Sequence, residues 1–136
     1  MIRPSLALLI LLGLLAACSQ QPAPTPAGPT VGGVPIYPGA HPLDEPPLVL
    51  RGIEQSHGAG LRDVQSGAFS TKDSADRVLG YYQDEMRRLG WTFIDQITFG
   101  GGDDRIQRFL KDGHRGIIAA VPDRDQTYVL ILDGAQ

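Results

Sequence analysis

The chain has 136 residues, 42% of them hydrophobic and 20% charged, with a formal net charge of −3 at neutral pH. That length suits one domain of ordinary size, and mild acidity without a Lys/Arg-rich block gives no footing for nucleic acid or for charge-driven attachment to an anionic membrane. A single cysteine excludes an intramolecular disulfide framework, so the folded part must stand on its own core.

The chain opens with Met1-Ile2-Arg3, runs through apolar residues from Leu6 to Ala17, and ends this stretch at Leu15-Ala16-Ala17-Cys18. A charged start, a short apolar run and small residues make a secretory signal with its cleavage site. Twelve residues fall well short of the roughly twenty that an uncleaved helical anchor needs. An ordinary secretory signal, with Cys18 as an incidental buried thiol, is the competing reading. Its placement directly after Ala16-Ala17 argues against that. The arrangement resembles the lipobox of bacterial lipoproteins, a resemblance confined to the export segment. It implies removal of residues 1–17, lipidation (palmitate among the acyl groups) of the new N-terminal Cys18, and a place in the cell envelope. With the three acyl chains that the resemblance implies, anchoring is stable, since two membrane signals already suffice. Ser19, where an aspartate would retain the protein in the inner membrane, implies the outer membrane of a two-membrane bacterium. In a single-membrane organism the protein would sit on the outer face of the cytoplasmic membrane.

Residues 18–33 read as a tether. Nine of the eleven prolines lie from Pro22 to Pro47, and the stretch Gln20 to Pro29 offers almost nothing to bury. It suits a semi-extended polyproline-type spacer of about 3 Å per residue. Residues 34–136 read as one small domain. Its opening, Val34-Pro35-Ile36-Tyr37-Pro38-Gly39-Ala40, joins apolar residues to a Pro-Gly turn signal. With Phe69 to Ser74, Tyr81-Tyr82 and Gly90-Trp91, this opening resembles small exported bacterial proteins of unassigned role. That resemblance implies a fold and brings no catalytic residues.

Within the domain, Leu48 to Ile53 reads as a weak strand and Val64 to Ser70 as a firmer one. The clearest element is a helix. Ala75, Val78, Leu79, Tyr82, Met86 and Leu89 recur at helical spacing, with Asp73 as the expected N-cap, Asp76 reaching back, and Gly90 as the stop. Gly80 falls on the polar face of that helix. Strands then follow over Trp91 to Phe99, Arg105 to Lys111, Arg115 to Val121 and Thr127 to Leu132, with Asp112-Gly113 as a hairpin turn. The predicted fold class is α+β, one amphipathic helix packed on a four- to five-stranded, mostly antiparallel sheet.

The last strands are apolar on both faces, with Tyr128, Leu130 and Leu132 on one side and Val129 and Ile131 on the other. Ile94, Phe109 and Ile118 add to the second set. A sheet covered on one side alone should be polar on its free face. Either Pro35 to Arg62 folds over that face, the favoured reading, or a partner or ligand covers it. Phe109, Ile118, Val129 and Ile131 are therefore the candidate binding residues.

No catalytic pattern emerges. His41, His57 and His114 lie far apart without metal-ligand spacing, and no zinc motif or G-x-S-x-G elbow is present. Ser56-His57 are sequence neighbours, which does not make a dyad. The Gly100-Gly101-Gly102-Asp103-Asp104 loop lacks the lysine of a phosphate cradle. Its carboxylates, with Asp123 and Asp125, would suit calcium only if the two turns converge. The reading is a lipid-anchored envelope protein with a non-catalytic binding or structural module. It has no expected cofactor, metal or nucleic acid, and its partner is an envelope protein or a small apolar ligand. The alternative is a small envelope hydrolase whose site is not evident in the sequence.

Overall fold

A computed structural model describes residues 21–136, so the signal segment and Cys18 lie outside the described residues. The chain forms β1 (Thr30–Val31), β2 (Val34–Pro35), β3 (His41–Pro42), α1 (Leu48–Gly58), β4 (Arg62–Thr71) and α2 (Ala75–Arg88). It then forms β5 (Thr92–Phe99), β6 (Asp104–Lys111), β7 (His114–Asp123) and β8 (Gln126–Ala135). The class is α+β, and the main sheet is antiparallel with six strands in the order β3-β4-β8-β7-β6-β5, more strands than expected. Among the described residues, no helix is long and apolar enough to cross a membrane.

α2 forms where the periodicity places it. The cap is Ser74, one residue later than expected: its Oγ accepts from the Arg77 amide at 3.2 Å. Asp73 is diverted, because its carboxylate accepts the Tyr37 hydroxyl at 2.6 Å. Val78, Leu79, Tyr82 and Met86 turn inward onto Phe69, Phe109, Ile118, Val129 and Ile131.

The second helix overturns the expected strand over Leu48 to Ile53. α1 buries Leu50 and Ile53, one helical turn apart, onto Ala68, Ile106, Ile117, Ala119, Leu130 and Leu132. Pro46-Pro47 immediately before it cannot continue a ladder and suit a helix start. The segment from Pro35 to Arg62 thus folds over the sheet, as favoured, and it does so as a helix. Both faces of β7 and β8 are apolar because both are covered.

A strap precedes the domain. β1 and β2 form a hairpin whose turn fits only glycine at position 32. There φ is +57°, and a Cβ would lie 2.3 Å from the Asp133 carboxylate, which instead accepts the Gly33 amide at 2.7 Å. Val34 is fully buried, and Tyr82 donates to the Pro35 carbonyl at 3.0 Å. Packed structure therefore begins near Thr30, ahead of the expected domain start at residue 34. Arg88 additionally holds the Thr25 carbonyl at 3.2 Å, inside the stretch expected to be tether.

Candidate functional site at the sheet rim

Both helices start at the same end of the sheet. That rim also carries the loop between β5 and β6 and the turn between β7 and β8. Gly100 and Gly101, with φ of +70° and +69°, turn the first loop back. The second turn holds Arg124 in the left-handed region at φ +55°, an uncommon conformation for a side-chain-bearing residue. These segments and the first turn of α2 enclose a cleft of about 570 Å³.

The lining is polar and carries both signs of charge: Lys72, Arg105 and Arg124 among the cations, Asp73, Asp76, Asp103 and Asp125 among the anions. Arg105 pairs with Asp76 at 2.6 Å, its own side chain largely buried, while Lys72 and Asp125 meet at 3.2 Å in full exposure. The Lys72 hydrogen bond holds the Asp125 carboxyl below the usual range. Beside the cleft, burial and the charge of Asp103 push Asp104 up. Arg124 has no ion-pair partner among the described residues.

Two of the three hydroxyls that line the cleft, those of Ser74 and Thr127, are committed to structure, and the third belongs to Thr98. Ser74 caps α2, and Thr127 donates to the Asp73 carbonyl at 2.7 Å. Elsewhere Ser56 donates to the Ile53 carbonyl and not to His57, and Ser66 donates to Glu54. His57 shares the α1 side of the sheet with Arg108 and Arg115; burial first, then those two charges, lower its pKa. The two acidic turns do converge on the cleft, through Asp103 and Asp125, but Lys72 and Arg105 share the space. Among the described residues, no group of three ligating side chains forms.

The four candidate binding residues lie elsewhere and are not surface. Phe109, Ile118, Val129 and Ile131 are at most 1% exposed and form the core under α2. The expectation put them on the face the helix leaves free. The register reverses this, with Val129 and Ile131 under α2 and Leu130 and Leu132 under α1. Ile94 joins neither core. It sits at a register shift between Phe93 and Asp95 and is half-exposed. Sequence reasoning named the acidic turns at this rim and missed its cations, Lys72, Arg105 and Arg124. Their signal is convergence of loops distant in sequence, which no local pattern carries.

The chain belongs to the START domain-like family, which matches residues 57–127. That span runs from the end of α1 through the first residues of β8 and contains the whole cleft lining. No curated protein matches the chain, and no solved structure does.

Proposed function

We propose that this protein is a lipid-anchored binding module of the bacterial cell envelope, non-catalytic, with the rim cleft as its ligand site. In this reading residues 1–17 are removed, Cys18 is lipidated, and the proline-rich stretch that follows sets the folded domain off the membrane. The observation that carries the binding role is the contrast between a filled interior and an open, charged cleft. Both apolar faces of the sheet are packed by their own helices, whereas the rim keeps about 570 Å³ lined by charges of both signs. Membership of the START domain-like family supports a ligand-binding module over a purely structural stalk. Ser74 and Thr127 are held by structural hydrogen bonds, and the lining brings no histidine to activate Thr98, which favours binding over hydrolysis.

The chemistry of the lining favours a small polar ligand with both a positive and a negative group over an apolar one. Each of its charges would meet a counter-charge, which charge-assisted hydrogen bonds reward. Two experiments test the reading. Metabolic labelling with a fatty acid should mark the wild type and vanish in Cys18→Ala; persistent label in the variant refutes the anchor. Calorimetric titration with phosphoethanolamine, a small zwitterion, should give saturable heat that Arg105→Gln weakens at least about tenfold, as for loss of one charged contact. Equal binding by the variant removes the cleft from the account.

A further inference from the structure

The two edges of the main sheet are treated very differently. β3, at one edge, is two residues long and ends in Pro42, which has no amide to offer. β5, at the other, runs eight residues, Thr92-Phe93-Ile94-Asp95-Gln96-Ile97-Thr98-Phe99. It contains no lysine, arginine or proline, the residues that usually blunt an open edge. Its one charge, Asp95, is already met by Arg108, whose Nε donates to it at 2.7 Å. The carboxyl accordingly sits below its usual range. The register shift between Phe93 and Asp95 interrupts only the start of the strand. Asp95 to Phe99 remains a regular segment whose outer side meets no strand among the described residues.

We infer that β5 pairs with β5 of a second copy of this chain, antiparallel about Ile97, joining two six-stranded sheets edge to edge. The occupant follows from self-complementarity along this segment. A two-fold axis at Ile97 sets Ile97 against its own copy and Gln96 against Thr98, an amide facing a hydroxyl. It sets Asp95, neutralised by Arg108, against Phe99. Every opposed pair then shares a sheet face, because Asp95, Ile97 and Phe99 alternate with Gln96 and Thr98. No like charges meet, although the chain as a whole is acidic. Five paired residues make a small contact, below the roughly 1,200 Å² of a standard interface, so the association is weak and reversible.

The test uses the full chain in its own membranes, with single cysteines added and mild oxidation. Ile97→Cys should cross-link to twice the monomer mass. Thr98→Cys, which opposes Gln96 and not itself, and Gly80→Cys, on the open face of α2, should each give at least about tenfold less product, the contrast expected from disulfide geometry. Equal product from Ile97→Cys and Thr98→Cys would mean random collision and overturn the pairing, as would no product from Ile97→Cys. The parent chain, carrying Cys18 alone, is run beside them, so any thiol left free by failed lipidation is seen separately.

Discussion

The two faces of the sheet are built from different materials. The α2 face is aromatic and deep. Tyr82, Trp91, Phe69 and Phe109 pack there with the strap's Val34 and Tyr37, and Tyr81 stands edge-on to both Tyr37 and Tyr82, with centroids 5.2 and 5.1 Å away. The α1 face is aliphatic at its centre, with Ala68 and Ala119 beneath Leu50 and Ile53, and its aromatic residues, Phe99 and Tyr128, are only partly buried. The shorter helix covers isoleucines, leucines and two alanines, the longer one covers aromatic residues as well, and the strap closes only the deep side. Stability is therefore concentrated under α2, while α1 serves chiefly to keep water from a face that must be apolar.

The largest expected effect tests the deep side. Trp91 lies over Gly116, beside Met86 and against Gly33, so its removal leaves a void that several elements share. Trp91→Ala should cost about 3–5 kcal/mol by chemical denaturation, enough to unfold a domain of this size. Unchanged melting would mean that the ring is not part of the core. Leu50→Ala, on the α1 face, should lose less, toward the lower end of the roughly 2–5 kcal/mol seen for buried leucines. A larger loss than at Trp91 would invert the comparison. Removing one strap contact is smaller again. Tyr82→Phe leaves the Pro35 carbonyl unpaired and should cost about 1–2 kcal/mol.

Much of this contrast was legible beforehand. α2 announced itself because six apolar residues repeat over four turns and a cap and a glycine stop bracket them. The β6–β7 hairpin was equally plain, because Asp112 and Gly113 both take positive φ, which Asp-Gly tolerates. α1 was misread because Leu48-Val49-Leu50 is a short apolar run, and such runs fit strand and helix alike. Its burial is decided by two residues, Leu50 and Ile53, with Leu48 left exposed. The apolar character of both faces correctly signalled a second cover, but face assignment needs a register, and that is fixed by pairing partners far along the chain. The cleft was invisible for the same reason: its cations come from the loop after β4, from β6 and from the β7–β8 turn.

Two glycine replacements sharpen the α1–α2 comparison with a gain. Gly52 in α1 and Gly80 in α2 are both exposed, and an added Cβ meets nothing within 4 Å. Gly52→Ala and Gly80→Ala should each stabilise by about 0.5–1 kcal/mol. No gain at Gly52 would speak against a helix there.

The smallest effect is electrostatic. Asp95 and Glu85 are held below their usual ranges by hydrogen bonds from Arg108 and Arg88. Carboxylates lowered in the folded state stabilise it above the unfolded range and lose that contribution as pH falls. Asp104, raised, works in the opposite sense and favours the fold at lower pH. Melting temperature should therefore decline modestly below about pH 4, and Arg108→Gln should flatten the decline. An identical acid limb in that variant would remove Asp95 from the balance.

The claim that binding belongs to the charged rim and not to the apolar interior is tested most directly by backbone-amide chemical-shift mapping during titration with phosphoethanolamine. The account predicts saturable shifts at Thr98, Gly102, Asp103, Arg105 and Arg124 to Thr127, with the interior silent. Shifts centred on Phe109, Ile118, Val129 and Ile131 would contradict it and return the site to the space beneath α2.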